Sequence, residues 1–213
     1  MEFIDEQLAE YVETHTTAES EILKKINRDT HLKVMMPRML SGHLQGQVLS
    51  MLSAMIQPKC ILEIGTYTGY SAICLAKGLV QGGKLITLDI NSELEDRVRS
   101  YFESAGLENK IDYRLGNAME IIPALNESFD LVFIDADKNN YSNYFDLVID
   151  KVRPGGFIIA DNVLWSGKIL LPEKEMDKDT RLLDAFNKKV QQDNRVENVL
   201  FPIRDGLMVI RKV

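Results

Sequence analysis

The residues best suited to chemistry fall in two short stretches. Phe129 to Ile134 is an apolar run that ends in Asp135-Ala136-Asp137-Lys138, and Phe157 to Ala160 is another that ends in Asp161-Asn162. Such runs read as buried strands. Between them lie a helical pattern carrying Tyr141, Tyr144, Phe145 and Val148 and then a turn, Pro154-Gly155-Gly156. A strand-helix-strand unit makes neighbouring parallel strands, so Asp135 and Asp161-Asn162 should share one carboxyl edge, where ligands bind in open α/β sheets. Two carboxylates and an amide oxygen form a hard, incomplete oxygen shell that suits Mg²⁺ and leaves positions for substrate. Each acid alone reads as a cap. Both together, with Asn162 beside one and Lys138 after the other, favour a metal. His15, His31 and His43 form no ligand pattern.

A second candidate lies upstream, at Cys60-Ile61-Leu62-Glu63-Ile64-Gly65-Thr66-Tyr67-Thr68-Gly69-Tyr70-Ser71. A strand, a glycine turn and a helix open a doubly wound α/β fold and offer a nucleoside cofactor its first half-site. The spacing is Gly65-x-x-x-Gly69, and Tyr67 stands where the dinucleotide fingerprint G-x-G-x-x-G has its middle glycine. A side chain there crowds a pyrophosphate, whereas an amino-acid carboxylate still fits the N–H groups of Tyr70 and Ser71. S-adenosylmethionine carries such a carboxylate and no phosphate, whereas an ordinary strand-to-helix turn has the same pattern and needs no ligand. Asp89 ends a second strand, Lys84 to Leu88, about 20 residues after the turn, where an acid binds both ribose hydroxyls.

The remaining elements must position these groups. A helix over 2–14 places Phe3, Ile4, Leu8, Tyr11 and Val12 on one face; Thr16 and Glu19 form a capping-box pattern before a second helix with Leu23 and Ile26. Met35-Met36-Pro37 suits either a mobile flap over a pocket or a plain connector. Leu44, Val48, Leu52, Met55 and Ile56 are spaced to face a core. Gly116-Asn117-Ala118-Met119 follows a third strand, Ile111 to Leu115, and flanks an adenine ring in such a fold. Trp165 is either a pocket wall or a core anchor. Leu182, Leu183, Phe186 and Val190 mark a last helix, and Val196 to Phe201 with Leu207 to Val213 an antiparallel pair around Arg204-Asp205-Gly206.

With 213 residues and 45% hydrophobic content, the chain suits a single globular domain over 1–213, with N-terminal helices and a closing segment in 1–57 and an α/β core in 58–213. A net charge of −7 weighs against a general nucleic-acid binder. Cys60 and Cys74 form no metal-type pair, and the acidic start lacks the features of a signal peptide. A reduced, cytoplasmic setting without membrane contact is expected.

The chain resembles the divalent-metal-dependent O-methyltransferases, which include catechol and caffeoyl-CoA O-methyltransferases, and its short N-terminal region looks like the bacterial members. The resemblance runs from about Met36 to the end and rests on Glu63 to Ser71, on Phe133 to Lys138 and on Asp161-Asn162-Val163-Leu164-Trp165. It implies a Rossmann-like S-adenosylmethionine-dependent fold, mostly parallel with a C-terminal antiparallel pair. By this resemblance Glu63, Ser71 and the backbone of Gly65, Thr66 and Tyr67 hold the methionine part, and Asp89 the ribose. Ile90, Ala118 and Met119 border the adenine, Ser41 and Gly42 close over the cofactor, and Asp135 and Asp137 lie on its side of the site. Asp135, Asp161 and Asn162 match the metal ligands for Mg²⁺, Mn²⁺ or Ca²⁺, and Lys138 the catalytic base. Lys138, Asn162, Trp165 and Met36 are the candidates to meet substrate. Gln45 stands where catechol O-methyltransferase has a lysine, and the acidic residue that meets substrate near that enzyme's C-terminus has no clear match.

These readings combine into a magnesium-dependent methyl transfer to one hydroxyl of an ortho-dihydroxy aromatic, by a homodimer. Some bacterial relatives modify hydroxyuridine in tRNA, an alternative that would use Lys24, Lys25, Arg28, Lys33 and Arg38. The complete set Asp135, Lys138, Asp161 and Asn162 argues against a non-catalytic binding module, and the glycine spacing against a nicotinamide oxidoreductase.

Overall fold

The apolar runs become the strands expected of them. In the computed structural model, which describes residues 4–213, the described chain divides into two units, residues 4–118 and 119–213.

In residues 4–118, β1 (Cys60–Ile64), β2 (Lys84–Asp89) and β3 (Ile111–Leu115) run parallel in the order β3-β2-β1. Every β1 residue is buried, as in a strand covered on both faces. The register sets Glu63 opposite Thr87 and Ile64 opposite Leu88, so Glu63 and Asp89 come at the carboxyl ends of adjacent strands. The helices are α1 (Glu6–Thr14), α2 (Glu21–Lys33), α3 (Gly42–Ile56), α4 (Tyr70–Ala76) and α5 (Glu95–Ser104).

Three details differ from expectation. Of the helix read over 2–14, Glu2 and Phe3 lie outside the described residues, and α1 buries none of its side chains. The capping box does not form: Ser20 precedes α2, while the Glu19 carboxylate accepts the Tyr70 hydroxyl at 2.5 Å and Asn27 Nδ2 at 3.3 Å. Finally, α3 buries Gln45, Gly46, Leu49, Ser50 and Ser53, whereas Met55 is exposed. The reason is close helix approach. A Cβ on Gly46 would come within 2.6 Å of the Tyr70 ring, and Ser53 Oγ donates to the Leu75 carbonyl at 2.6 Å. Small residues let α4 in; of the larger apolar ones Leu49 is fully buried, while Met51 and Met55 turn to the surface.

In residues 119–213 the strands are β4 (Phe129–Ile134), β5 (Val152–Ala160), β6 (Val196–Phe201) and β7 (Leu207–Lys212), ordered β4-β5-β7-β6. Strands β4 and β5 are parallel, and β7 is antiparallel to both β5 and β6. The helices are α6 (Ala118–Ala124), which begins at the boundary, α7 (Tyr141–Ile149) and α8 (Lys178–Gln192). The turn expected at Pro154-Gly155-Gly156 is instead a bulge within β5: Phe129 pairs with Val152 and Leu131 with Phe157. Gly155 takes φ +73°, and a Cβ on Gly156 would meet Val152 at 2.8 Å, so the extra residues loop out without ending the strand. Helices α7 and α8 pack through fully buried Tyr141, Phe145 and Phe186, whose rings meet edge to face at 5.5 and 6.3 Å from Phe186. Asp177 caps α8, accepting the Thr180 amide at 2.8 Å and hydroxyl at 2.6 Å, and these bonds hold its carboxyl down at about 2.

Candidate active site

An acid from the end of β4 and an amide oxygen from the end of β5 meet around one ammonium group. Parallel register sets Ile134 opposite Ala160, so the next residues, Asp135 and Asp161, leave the sheet side by side. Lys138 Nζ donates to Asn162 Oδ1 at 2.8 Å, to Tyr141 Oη at 2.6 Å and to Asp135 Oδ1 at 3.3 Å. It also lies 4.6 Å from the Tyr141 ring centroid and 5.9 Å from that of Trp165. The Lys138 side chain is only 10% exposed, so these contacts replace most of its water. Burial, followed by the charges of Asp135 and Asp161, raises the Tyr141 hydroxyl well above the usual phenol range, which keeps it neutral.

The segment after Asp161 is held from several directions. The Asp161 amide donates to the Ile134 carbonyl at 3.0 Å, and its carbonyl accepts the Tyr141 hydroxyl at 2.9 Å. Asp161 Oδ1 accepts the Asn162 amide at 2.7 Å. The Val163 and Leu164 amides donate to the carbonyls of Gly206 and Asp205 at 3.3 and 2.9 Å, and Asn187 Nδ2 donates to the Val163 carbonyl at 2.9 Å. The Ser166 amide donates to Asp205 Oδ1 at 2.5 Å. These clamps support a run of left-handed backbone at Asn162 (φ 59°), Trp165 (48°), Ser166 (55°) and Gly167 (77°). Trp165 follows Asp161-Asn162 as a half-buried side chain whose ring also lies 5.9 Å from Lys168 Nζ.

The donor set is tested by the cation already there. Asp135 Oδ1 and Asn162 Oδ1 converge on Lys138 Nζ, and oxygens that converge on an ammonium group suit a hard metal cation as well. Among the described residues no three His, Cys, Asp or Glu side chains group to hold a metal. A site here therefore needs the Asn162 amide oxygen beside the two carboxylates. Asp137 is used differently: Tyr144 Oη donates to its Oδ1 at 2.5 Å and Asn140 Nδ2 to its Oδ2 at 2.7 Å, which fixes the turn into α7.

In residues 4–118 the predicted cofactor residues form a second cluster. Glu63 is fully buried at the end of β1, where its Oε2 accepts the Thr87 hydroxyl at 2.5 Å; Thr87 in turn pairs with Thr66 Oγ1 at 2.6 Å. Asp89 Oδ2 accepts the amides of Thr66 (3.1 Å) and Tyr67 (2.7 Å), and Oδ1 that of Asn91 (2.8 Å). A carboxylate has about four acceptor positions, so the acid expected to take two ribose hydroxyls keeps room for one beside its grip on the glycine turn. Gly65 takes φ +103° and donates to the Leu88 carbonyl at 2.9 Å, and Gly69 (φ +80°) precedes α4, whose first turn carries buried Ser71. Tyr67 adopts φ +48° and sends its hydroxyl to the carbonyls of Met35 (3.0 Å) and Met36 (3.3 Å), which tethers the expected flap. A tyrosine so anchored at the second glycine position leaves the donor set of a methionine-type cofactor and no pyrophosphate cradle. Ser41 is buried at the entry to α3 and Gly42 (φ +73°) begins it; Ile90 is exposed after β2. Ala118 is buried where α6 begins, and half-buried Met119 follows it across the boundary.

Of the basic residues offered for tRNA, Lys24 is paired with Glu21 at 2.8 Å and Lys33 with Asp29 at 2.7 Å, so α2 carries much less free positive charge than its sequence suggests. No helix among the described residues is long and apolar enough to cross a membrane.

The sheet edges and their acids define an α/β methyltransferase, and comparisons carry this to a family. Residues 13–213 match the O-methyltransferase family model, so the chain belongs to the O-methyltransferase family and is an S-adenosylmethionine-dependent O-methyltransferase. It is 39% identical over 180 residues to caffeoyl-CoA O-methyltransferase of Mesembryanthemum crystallinum, covering 79% of this chain and 71% of the relative. The Medicago sativa caffeoyl-CoA O-methyltransferase is 37% identical over 79% of this chain and 73% of its own. A solved Bacillus cereus O-methyltransferase in complex with SAH superposes with TM-score 0.88 at 28% identity, over 97% of each chain. An SAH-bound methyltransferase of Podospora anserina gives 0.88 at 26%, over 99% of this chain and 97% of its own. The expected fold, mostly parallel with a C-terminal antiparallel pair, is borne out.

The sequence reading missed Tyr141, Asn187 and the structural use of Asp205-Gly206. Tyr141 was legible only as a core position of a helix, and Asp205-Gly206 only as a hairpin turn.

Proposed function

We propose that the protein transfers a methyl group from S-adenosylmethionine to one hydroxyl of an ortho-dihydroxy aromatic, with a divalent cation such as Mg²⁺. The observation that carries this reading is the convergence of Asp135 Oδ1 and Asn162 Oδ1 on one cation, Lys138 Nζ, at the ends of β4 and β5. The caffeoyl-CoA O-methyltransferase relatives support it through the substrate class in their names.

A divalent cation held by Asp135, Asp161 and Asn162 would supply Lewis-acid stabilisation of a phenolate at neutral pH. Lys138 works beside it. All three of its N–H directions are engaged by Asp135, Tyr141 and Asn162, so it turns from one of these acceptors when it meets the acceptor hydroxyl. There its ammonium donates to the developing phenolate, or, once it has given up a proton of its own to solvent, Nζ takes the proton of the hydroxyl. Trp165 walls the aromatic ring, and Met36 is the candidate on the flap. Glu63 and Ser71 hold the amino-acid end of the cofactor, and Asp89 its ribose, with Ile90, Ala118 and Met119 along the adenine. Alignment of the two reactants can supply about 7–11 kcal/mol of barrier lowering in favourable systems.

Residues 1–213 then form one methyltransferase domain, since a single family model spans both units. A homodimer fits the exposed Leu8, Tyr11, Met51 and Met55, and a cytoplasmic setting fits the two buried free thiols.

The test incubates the enzyme with labelled S-adenosylmethionine, Mg²⁺ and either an ortho-diol, a simple phenol or bulk tRNA. The expected result is label in the diol only, abolished by EDTA and restored by Mg²⁺. Lys138→Ala should lower kcat by about 10²–10⁴-fold with the fold intact. Full activity in chelator removes the metal from the reading, and label in tRNA moves the substrate to nucleic acid.

A further inference from the structure

We propose that Tyr141 is the positioning residue for Lys138, a role that rests on the reading of Lys138 as the residue that meets the acceptor hydroxyl. Tyr141 is fully buried, and its ring is fixed edge-on against Phe186. A hydroxyl has one proton to give and two lone pairs to receive with. Tyr141 gives its proton to the Asp161 carbonyl at 2.9 Å, with the Ile134 carbonyl farther away at 3.4 Å. Its lone pairs are left for Lys138 Nζ at 2.6 Å. The bonds therefore run one way, from ammonium to phenol to backbone.

The other two acceptors of Lys138 are not independent of the reaction. Asp135 and Asn162 are the proposed metal ligands, and oxygens that turn to a divalent cation hold an ammonium group less well. The Tyr141 hydroxyl is the one acceptor of the three that no metal claims. It is anchored to the carbonyl of Asp161, so it ties the lysine nitrogen to the segment that carries the ligands. A lysine has a flexible four-carbon stem and finds its place only through such a contact. Without it, Nζ would wander by an ångström or more while the ligands stayed put.

The experiment is Tyr141→Phe, which removes one oxygen and keeps the ring. Steady-state rates are measured with an ortho-diol in saturating cofactor. Mg²⁺ binding is followed by the emission of Trp165, the only tryptophan. The expected result is a kcat lower by about 10–100-fold, because a misplacement of about 1 Å costs that much. The KM for the diol and the Mg²⁺ midpoint should stay within about twofold, since neither binding contact is touched. The same substitution in Lys138→Ala should change the residual rate by less than about twofold, because the residue it positions is gone. A purely structural role would lower both backgrounds by the same factor, and that outcome overturns the proposal, as does an unchanged kcat in the single variant. Crystal structures of wild type and Tyr141→Phe separate this claim from the reading it rests on. Displacement of Lys138 Nζ supports the positioning role even if the diol proves not to be a substrate, and an unmoved Nζ refutes it even if the diol is methylated.

Discussion

Asp205→Ala probes whether the segment that carries the proposed metal ligands is held in place or simply rests there. Asp205 Oδ1 accepts the Ser166 amide, and the neighbouring Trp165 and Ser166 both sit in left-handed backbone. A non-glycine residue in that region costs about 1–2 kcal/mol, so the pair stores about 2–4 kcal/mol. A hydrogen bond to a charged group returns about 1.5–3 kcal/mol. The two are of the same size, so removing the carboxylate leaves the segment with no net reason to keep its shape. The Asp205 and Gly206 carbonyls still hold Leu164 and Val163, so relaxation should begin at Trp165 and reach Asn162 through the Trp165 amide, which donates to the Asn162 carbonyl at 3.2 Å. Loss of a partner that orients a ligand typically costs about 10–100-fold in metal affinity, and that is the expected shift in the Mg²⁺ midpoint read by Trp165 emission. Because the released strain offsets the lost hydrogen bond, the melting temperature should stay within about 4 °C of wild type. Asp205→Asn keeps an acceptor oxygen and should recover most of the Mg²⁺ affinity. A wild-type Mg²⁺ midpoint and unchanged Trp165 emission in Asp205→Ala would show that the clamp does not position the ligands.

Two further predictions concern the core. Gly46→Ala places a Cβ 2.6 Å from the Tyr70 ring and 3.0 Å from Cys74 Sγ, so it should destabilise the fold by about 1–3 kcal/mol in urea denaturation; an unchanged midpoint would mean that α3 and α4 are not in close contact. Burial pushes the Cys74 thiol up to about 12, whereas in the unfolded chain it ionises near 9.0. The folded state then holds the proton more tightly, so the thiol's contribution is complete below pH 9 and is lost as pH rises from 9 toward 12, by up to about 4 kcal/mol. Stability measured against pH for wild type and Cys74→Ala should diverge in that window, with wild type falling faster; parallel curves would refute the assignment.

The sequence by itself settled the strands and the class of cofactor, and it placed the acids proposed for a metal. Those features depend on local pattern: an apolar run fixes a strand, and a strand fixes which residue comes at its end. Asp135, Asp161 and Asn162 were legible because parallel strands in register bring their ends together. The close packing of α3 was not legible, because Gly46 and Ser53 carry no hydrophobic signal and matter only once Tyr70 and Cys74 lie against the first and the Leu75 carbonyl against the second. Nor was the double use of Asp89, whose grip on the Thr66 and Tyr67 amides depends on how the turn folds back over β2. Only tertiary structure decided that Asp205 and Asn187 grip the segment after Asp161-Asn162, and only the placed side chains showed that Lys138 is held by the phenol three residues on. Hydrogen bonds reach about 3 Å in space without regard to separation along the chain, and the 24 residues between Val163 and Asn187 and the 39 between Ser166 and Asp205 leave no periodic trace in sequence.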